Sequence, residues 1–108
     1  MNEKENIKII ANHYGYDAQS RQLVEEMAEL TQAINKFWRQ WHKHLDGALP
    51  NYLQLTKEYK DIEEEIADVE VCLEQIKQLL RCDNEEIDSI KRCKIQRQLK
   101  RIQGKSTC

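Results

Sequence analysis

The chain has 108 residues, 33% of them charged, a formal net charge of -2, and only three glycines and one proline. That length holds one modest hydrophobic core in a single domain, and the composition suits long amphipathic helices while excluding a turn-rich sheet protein. A near-neutral total argues against a dedicated nucleic-acid binder, and no apolar run reaches the roughly 20 residues that a membrane span needs.

A short first helix is predicted over about 4–13, with Ile7, Ile9 and Ile10 on part of one face and Gly15 as its stop. A second, long helix is expected from about Asp17, its N-cap. There Leu23, Met27, Leu30, Ile34, Phe37 and Trp41 alternate steps of four and three, one sustained apolar stripe. The only proline falls in Leu45-Asp46-Gly47-Ala48-Leu49-Pro50-Asn51, so this helix should end near His44 and a loop should follow.

The third helix is expected from near Asn51 to about Arg81, carried by Leu55, Ile62, Ile66, Val69, Leu73, Ile76 and Leu80. After the break at Cys82-Asp83-Asn84, Asp83 or Asn84 can cap a fourth helix. Glu85 and Glu86 open it and Lys94, Arg97, Lys100 and Arg101 close it, matching the helix dipole at both ends. Its apolar face, Ile87, Ile90, Ile95, Leu99 and Ile102, is thinner. The fold class expected is all-α: a four-helix bundle of two long antiparallel helices with a shorter one on each side. So small a protomer leaves apolar surface for a partner chain, so a homodimer or larger oligomer is expected.

The N-terminus carries acids and lacks the hydrophobic centre of a secretion signal, so a cytoplasmic location is expected. Cys72, Cys82, Cys93 and Cys108 form no C-x-x-C pair and have no nearby His at zinc-ligand spacing. They read as reduced thiols, with Cys72 packing as a small hydrophobe. Charge is polarised: the acids concentrate between Glu25 and Glu74, while Lys91 to Lys105 is basic. The basic end suits either a solvated helix face or a polyanion.

Both long helices carry acidic pairs at i, i+3: Glu26 with Glu29, and Glu65 with Asp68. On a helical wheel Glu26 and Glu65 stand roughly 60 to 70° from the centre of their apolar stripes, and Glu29 and Asp68 roughly 120 to 130°. If the helices pack antiparallel, four carboxylates converge, and such like charges repel strongly unless a cation neutralises them. Oxygen donors without His or Cys select magnesium or manganese over zinc or copper, which suits phosphate chemistry. In a chain with 19 acidic residues, however, such pairs also arise by chance as salt-bridge partners, and spacing alone leaves both readings open. No His lies three residues after any Glu, which disfavours a di-iron bundle.

Gln22-Leu-Val-Glu25-Glu26-Met-Ala-Glu29-Leu30 together with Glu64-Glu65-Ile-Ala-Asp68-Val69 resembles the paired E-E-x-x-E and E-x-x-D motifs of MazG-like, all-α nucleoside triphosphate pyrophosphohydrolases. The resemblance covers both central helices. It implies a dimer or dimer of dimers that hydrolyses a nucleoside triphosphate to its monophosphate and pyrophosphate with Mg2+, or Mn2+, as cofactor. It puts Glu26, Glu29, Glu65 and Asp68 at the metal-ligand positions. Glu25 and Glu26 become the catalytic acids, with Glu25 either a ligand to a further metal or the group that orients the attacking water. One departure stands out: 35 residues separate Glu29 from Glu65, more than the family's compact spacing. The excess, around Trp41 to Tyr59, would lengthen both helices or form a lid, and it bears on base specificity more than on the chemistry.

Several residues near these motifs admit two readings. Lys94, Arg97 and Arg101 can reach phosphates or simply complement the helix dipole. Phe37 and Trp41 lie on the apolar stripe and suit packing or subunit contact, whereas Trp38 is freer to stack on a base. His42 and His44 are expected in solvent, and Tyr14 and Tyr16 near the site entrance. The rival to the enzyme is a non-catalytic helical module that oligomerises or regulates.

Overall fold

The computed structural model describes residues 2–43 and 56–104. Among them every regular element is helical: α1 (Glu3–His42), α2 (Thr56–Leu79) and α3 (Asn84–Ile102). The expected loop at Leu45 to Asn51, the start of the third helix near Asn51, His44, Cys108 and most of the lid region lie outside the described residues.

The first two expected helices run together as α1 and meet at Gly15, whose φ of 85° and ψ of 170° are not helical. Only glycine adopts that combination without strain, so the position expected to stop one helix instead bends a longer one. Asp17 is not an N-cap: the second arm resumes at Tyr16, and Asp17 lies inside its first turn. The true N-cap of α1 is Asn2, whose side chain accepts from the Glu5 backbone N–H at 2.8 Å.

The bend is sharp. Lys4 and Gln19 would stand about 22 Å apart on a straight helix. Yet the Lys4 carbonyl accepts from Gln78 Nε2 and Gln19 donates to Gln75, a single turn of α2. The arm 3–14 therefore folds back beside the C-terminal half of α2, and Ala11, fully buried, is small enough to let the backbones close on each other.

The arm 16–42 runs antiparallel to α2. Gln19 donates to Gln75 across the seam at 2.6 Å, and three turns further along Glu26 and Glu29 face Glu65. The residues that meet in this seam recur in steps of three and four on both helices, Gln19, Gln22, Glu26, Glu29 against Glu65, Asp68, Cys72, Gln75, and they are mostly polar. The apolar stripes do not form the seam. At 100° per residue they lie about 80 to 100° around from it, on the same side of the hairpin. That side stays open: Met27, Ile34, Ile66 and Leu73 are each more than 40% exposed, and among the described residues no large side chain is fully buried.

α2 ends in a Schellman motif. The Cys82 N–H bonds the Lys77 carbonyl at 2.9 Å and the Arg81 N–H the Gln78 carbonyl at 3.2 Å, with Arg81 left-handed at φ 55°. Asp83, rather than Asn84, then caps α3 by accepting from the Glu85 and Glu86 N–H groups. α3 packs against neither α1 nor α2 among the described residues.

Candidate metal centre

Residues three apart on a helix share a face, and the antiparallel seam sets the Glu26–Glu29 pair of α1 against Glu65 of α2. One carboxylate oxygen from each of these three side chains lies within 4.8 Å of the others. Glu26 and Glu65 are half-buried and Glu29 is exposed, so the trio opens to solvent on one side.

Glu26 is held in place by its own helix. Gln22, one turn earlier, donates from Nε2 to Glu26 Oε1 at 2.7 Å. The other oxygen, Oε2, is buried without a hydrogen-bond partner, and so is Oε2 of Glu65. Buried acceptors of this kind are costly unless something satisfies them. The Gln22 bond draws the Glu26 pKa down, but burial and the charges of Glu29 and Asp68 outweigh it and leave the carboxyl above its ordinary value. Burial raises Glu65 first, with Glu29, Asp68 and Glu26 adding to it. Cys72, buried one turn beyond Asp68, is raised by burial and by Glu26 and Asp68.

The structure thus brings Glu26, Glu29 and Glu65 together. Asp68 is exposed and outside the trio, yet near enough for its charge to act on both half-buried carboxyls. Glu25 is exposed on the flank of α1 away from the apolar stripe. Two orphaned buried oxygens in an all-carboxylate set fit a hard divalent cation, with Glu26, Glu29 and Glu65 as its holders and Asp68 in reserve.

Other expected residues fall elsewhere. Lys94, Arg97 and Arg101 are on α3, apart from the hairpin of their own chain. Tyr14 and Tyr16 are exposed at the Gly15 bend, and Tyr16 is ten residues, or about 15 Å of helix, from Glu26. Phe37 stacks on Trp41 with ring centroids 6.0 Å apart, and Trp38 remains 59% exposed. His42 is not free in solvent: it is half-buried, lies 4.0 Å from the Trp38 ring and bonds through Nδ1 to the Trp38 carbonyl. These side chains and Ile34 border an open apolar groove that reaches Ile62, one turn from Glu65.

Gln22 is part of the motif, but its supporting role was hidden because a glutamine one turn before a glutamate is common on any polar helix. Gln19 and Gln75 carried no signal at all. Compared with protein-family models, with curated proteins and with solved structures, the chain finds no match.

Proposed function

We propose that this chain is a magnesium-dependent nucleoside triphosphate pyrophosphohydrolase of the MazG-like kind, which takes an NTP or dNTP and water to the monophosphate and diphosphate. One observation carries the reading: Glu26, Glu29 and Glu65 converge from two helices while two of their buried oxygens lack any partner. Together with the E-E-x-x-E and E-x-x-D pattern, this is the donor set that triphosphate chemistry requires.

A bound Mg2+ or Mn2+ would neutralise triphosphate charge and acidify a water for attack at the α-phosphorus. Glu26, Glu29 and Glu65 hold the cation, and Asp68 extends the set toward solvent. Gln22 fixes the Glu26 rotamer and leaves Oε2 facing the centre, a positioning role. Glu25, exposed beside them, orients the attacking water or serves a second cation. Nucleotide-pool cleansing fits such an activity.

In this reading the bundle is completed by a second copy. The apolar flank made by Leu23, Met27, Ile34, Ile66 and Leu73 lies on one side of the hairpin, so two hairpins placed face to face bury it and make four helices. The same open flank also favours the rival, a helical module that only oligomerises.

Pyrophosphate release from a panel of canonical and modified triphosphates, with and without Mg2+, separates the two. The enzyme releases pyrophosphate from at least one of them, only with the metal, and Glu26→Gln abolishes it. No release from any triphosphate, or release untouched by Glu26→Gln, leaves the module.

A further inference from the structure

α3 is a 19-residue amphipathic helix without a single alanine and without a packing partner in its own chain. Ile95 is 56% and Ile102 83% exposed. Helices of this length owe most of their stability in water to an apolar face packed on something, and α3 lacks the alanine content that sustains isolated helices. The hydrogen-bonded Schellman turn and the Asp83 cap set the direction in which α3 leaves α2. A covering surface must therefore come from another molecule.

The chain itself contains a surface of matching chemistry. Beside the bent-back arm of α1, on the side of α2 away from the seam, runs a groove of about 290 Å³. Ile7, Ala67 and Val71 form its apolar floor, and Glu3, Glu70 and Glu74 its rim. Residues 61–74 hold seven acids and no Lys or Arg, and residues 91–102 hold six Lys or Arg and no acid. On the α3 wheel, Ile87, Ile95, Leu99 and Ile102 fall within about 120°, bordered by Arg92 on one edge and by Lys94 and Arg101 on the other. An apolar stripe with basic edges thus answers an apolar floor with an acidic rim.

The geometry points to an exchange of arms: α3 of one copy docks in the Ile7–Ala67–Val71 groove of a second copy, its basic edges against Glu3 and Glu70. Glu74 takes a lesser part because Lys77 already pairs with it at 2.9 Å. This contact is separate from the apolar flank and does not depend on the enzyme reading. The surface available is sufficient: 8756 Å² is exposed, about 2,400 Å² above the roughly 6,300 Å² of a compact monomer of this size. Two such excesses fall within the range of obligate homodimers.

Amide hydrogen exchange of the full-length protein across a concentration series tests it. Protection of 84–102 and of 67–74 rises together with protein concentration. Lys94→Glu with Arg101→Glu lowers the protection of α3 by about tenfold or more, and adding Glu3→Lys with Glu70→Lys to that variant restores it, because both sides are then reversed. Protection of α3 that ignores concentration, survives the first reversal, is not restored by the second, or arises only when duplex DNA is added overturns the proposal.

Discussion

Glu26 commits one oxygen to Gln22 and leaves the other buried with no partner, so this carboxylate is arranged for a ligand at the expense of the protein without one. Glu26→Gln removes a like charge from the trio. It should raise the melting temperature of the metal-free protein and at the same time weaken divalent-cation binding by more than the roughly 10- to 100-fold that loss of a supporting partner costs. Calorimetric titration and thermal melts on the same samples check both halves. pH reports on the same carboxyls. Glu26 and Glu65 sit above the ordinary 4.5, so the folded protein binds protons more readily than the unfolded chain. Stability in a chelator is therefore fullest below about pH 4.5 and declines as pH rises through the raised values. Saturating Mg2+ should flatten or reverse that decline. A further test at this scale concerns the buried amides: Gln75→Leu leaves Gln19 unpaired and should cost about 1–3 kcal/mol, while Gln19→Leu with Gln75→Leu should recover most of it. The acids of the trio were legible in the sequence because i, i+3 spacing fixes a shared face. The amides were not, because no helical pattern distinguishes a seam glutamine from a surface one.

At the scale of elements, the helices could be read from periodicity, and Gly15 from its residue type, but not how tightly the chain bends there. With φ at 85° and ψ at 170°, Gly15→Ala should destabilise by about 1–3 kcal/mol although a methyl group would meet nothing within 4 Å. Urea denaturation measures that loss. The mutual arrangement of α1 and α2 was less legible. An apolar stripe on each helix suggests that stripe packs on stripe, whereas the seam is Gln19, Glu26, Glu29, Glu65 and Gln75, and both stripes turn to one flank. Periodicity identifies which residues seek burial, but it does not say whether their partner belongs to the same chain. That is why the carboxylates, expected at the shoulders of a core, stand in the seam itself.

For the whole molecule, a chain with no fully buried large side chain among its described residues has little to hold it together alone, since stability scales with the apolar surface removed from water. Composition announced an all-helical chain, and its charge polarity announced an acidic middle and a basic end. That the basic end forms a helix detached from the hairpin could not be read, because detachment depends on the cap and turn geometry between Lys77 and Glu86. The metal trio, the open flank and the free α3 together describe half of an assembly built around phosphate chemistry. Phosphorus NMR of full-length protein with a triphosphate and Mg2+ tests that account most directly. It predicts monophosphate and pyrophosphate as the paired products, formed only with the metal and lost in both Glu26→Gln and Glu65→Gln. A triphosphate panel left intact, or cleavage to diphosphate and orthophosphate, would contradict it.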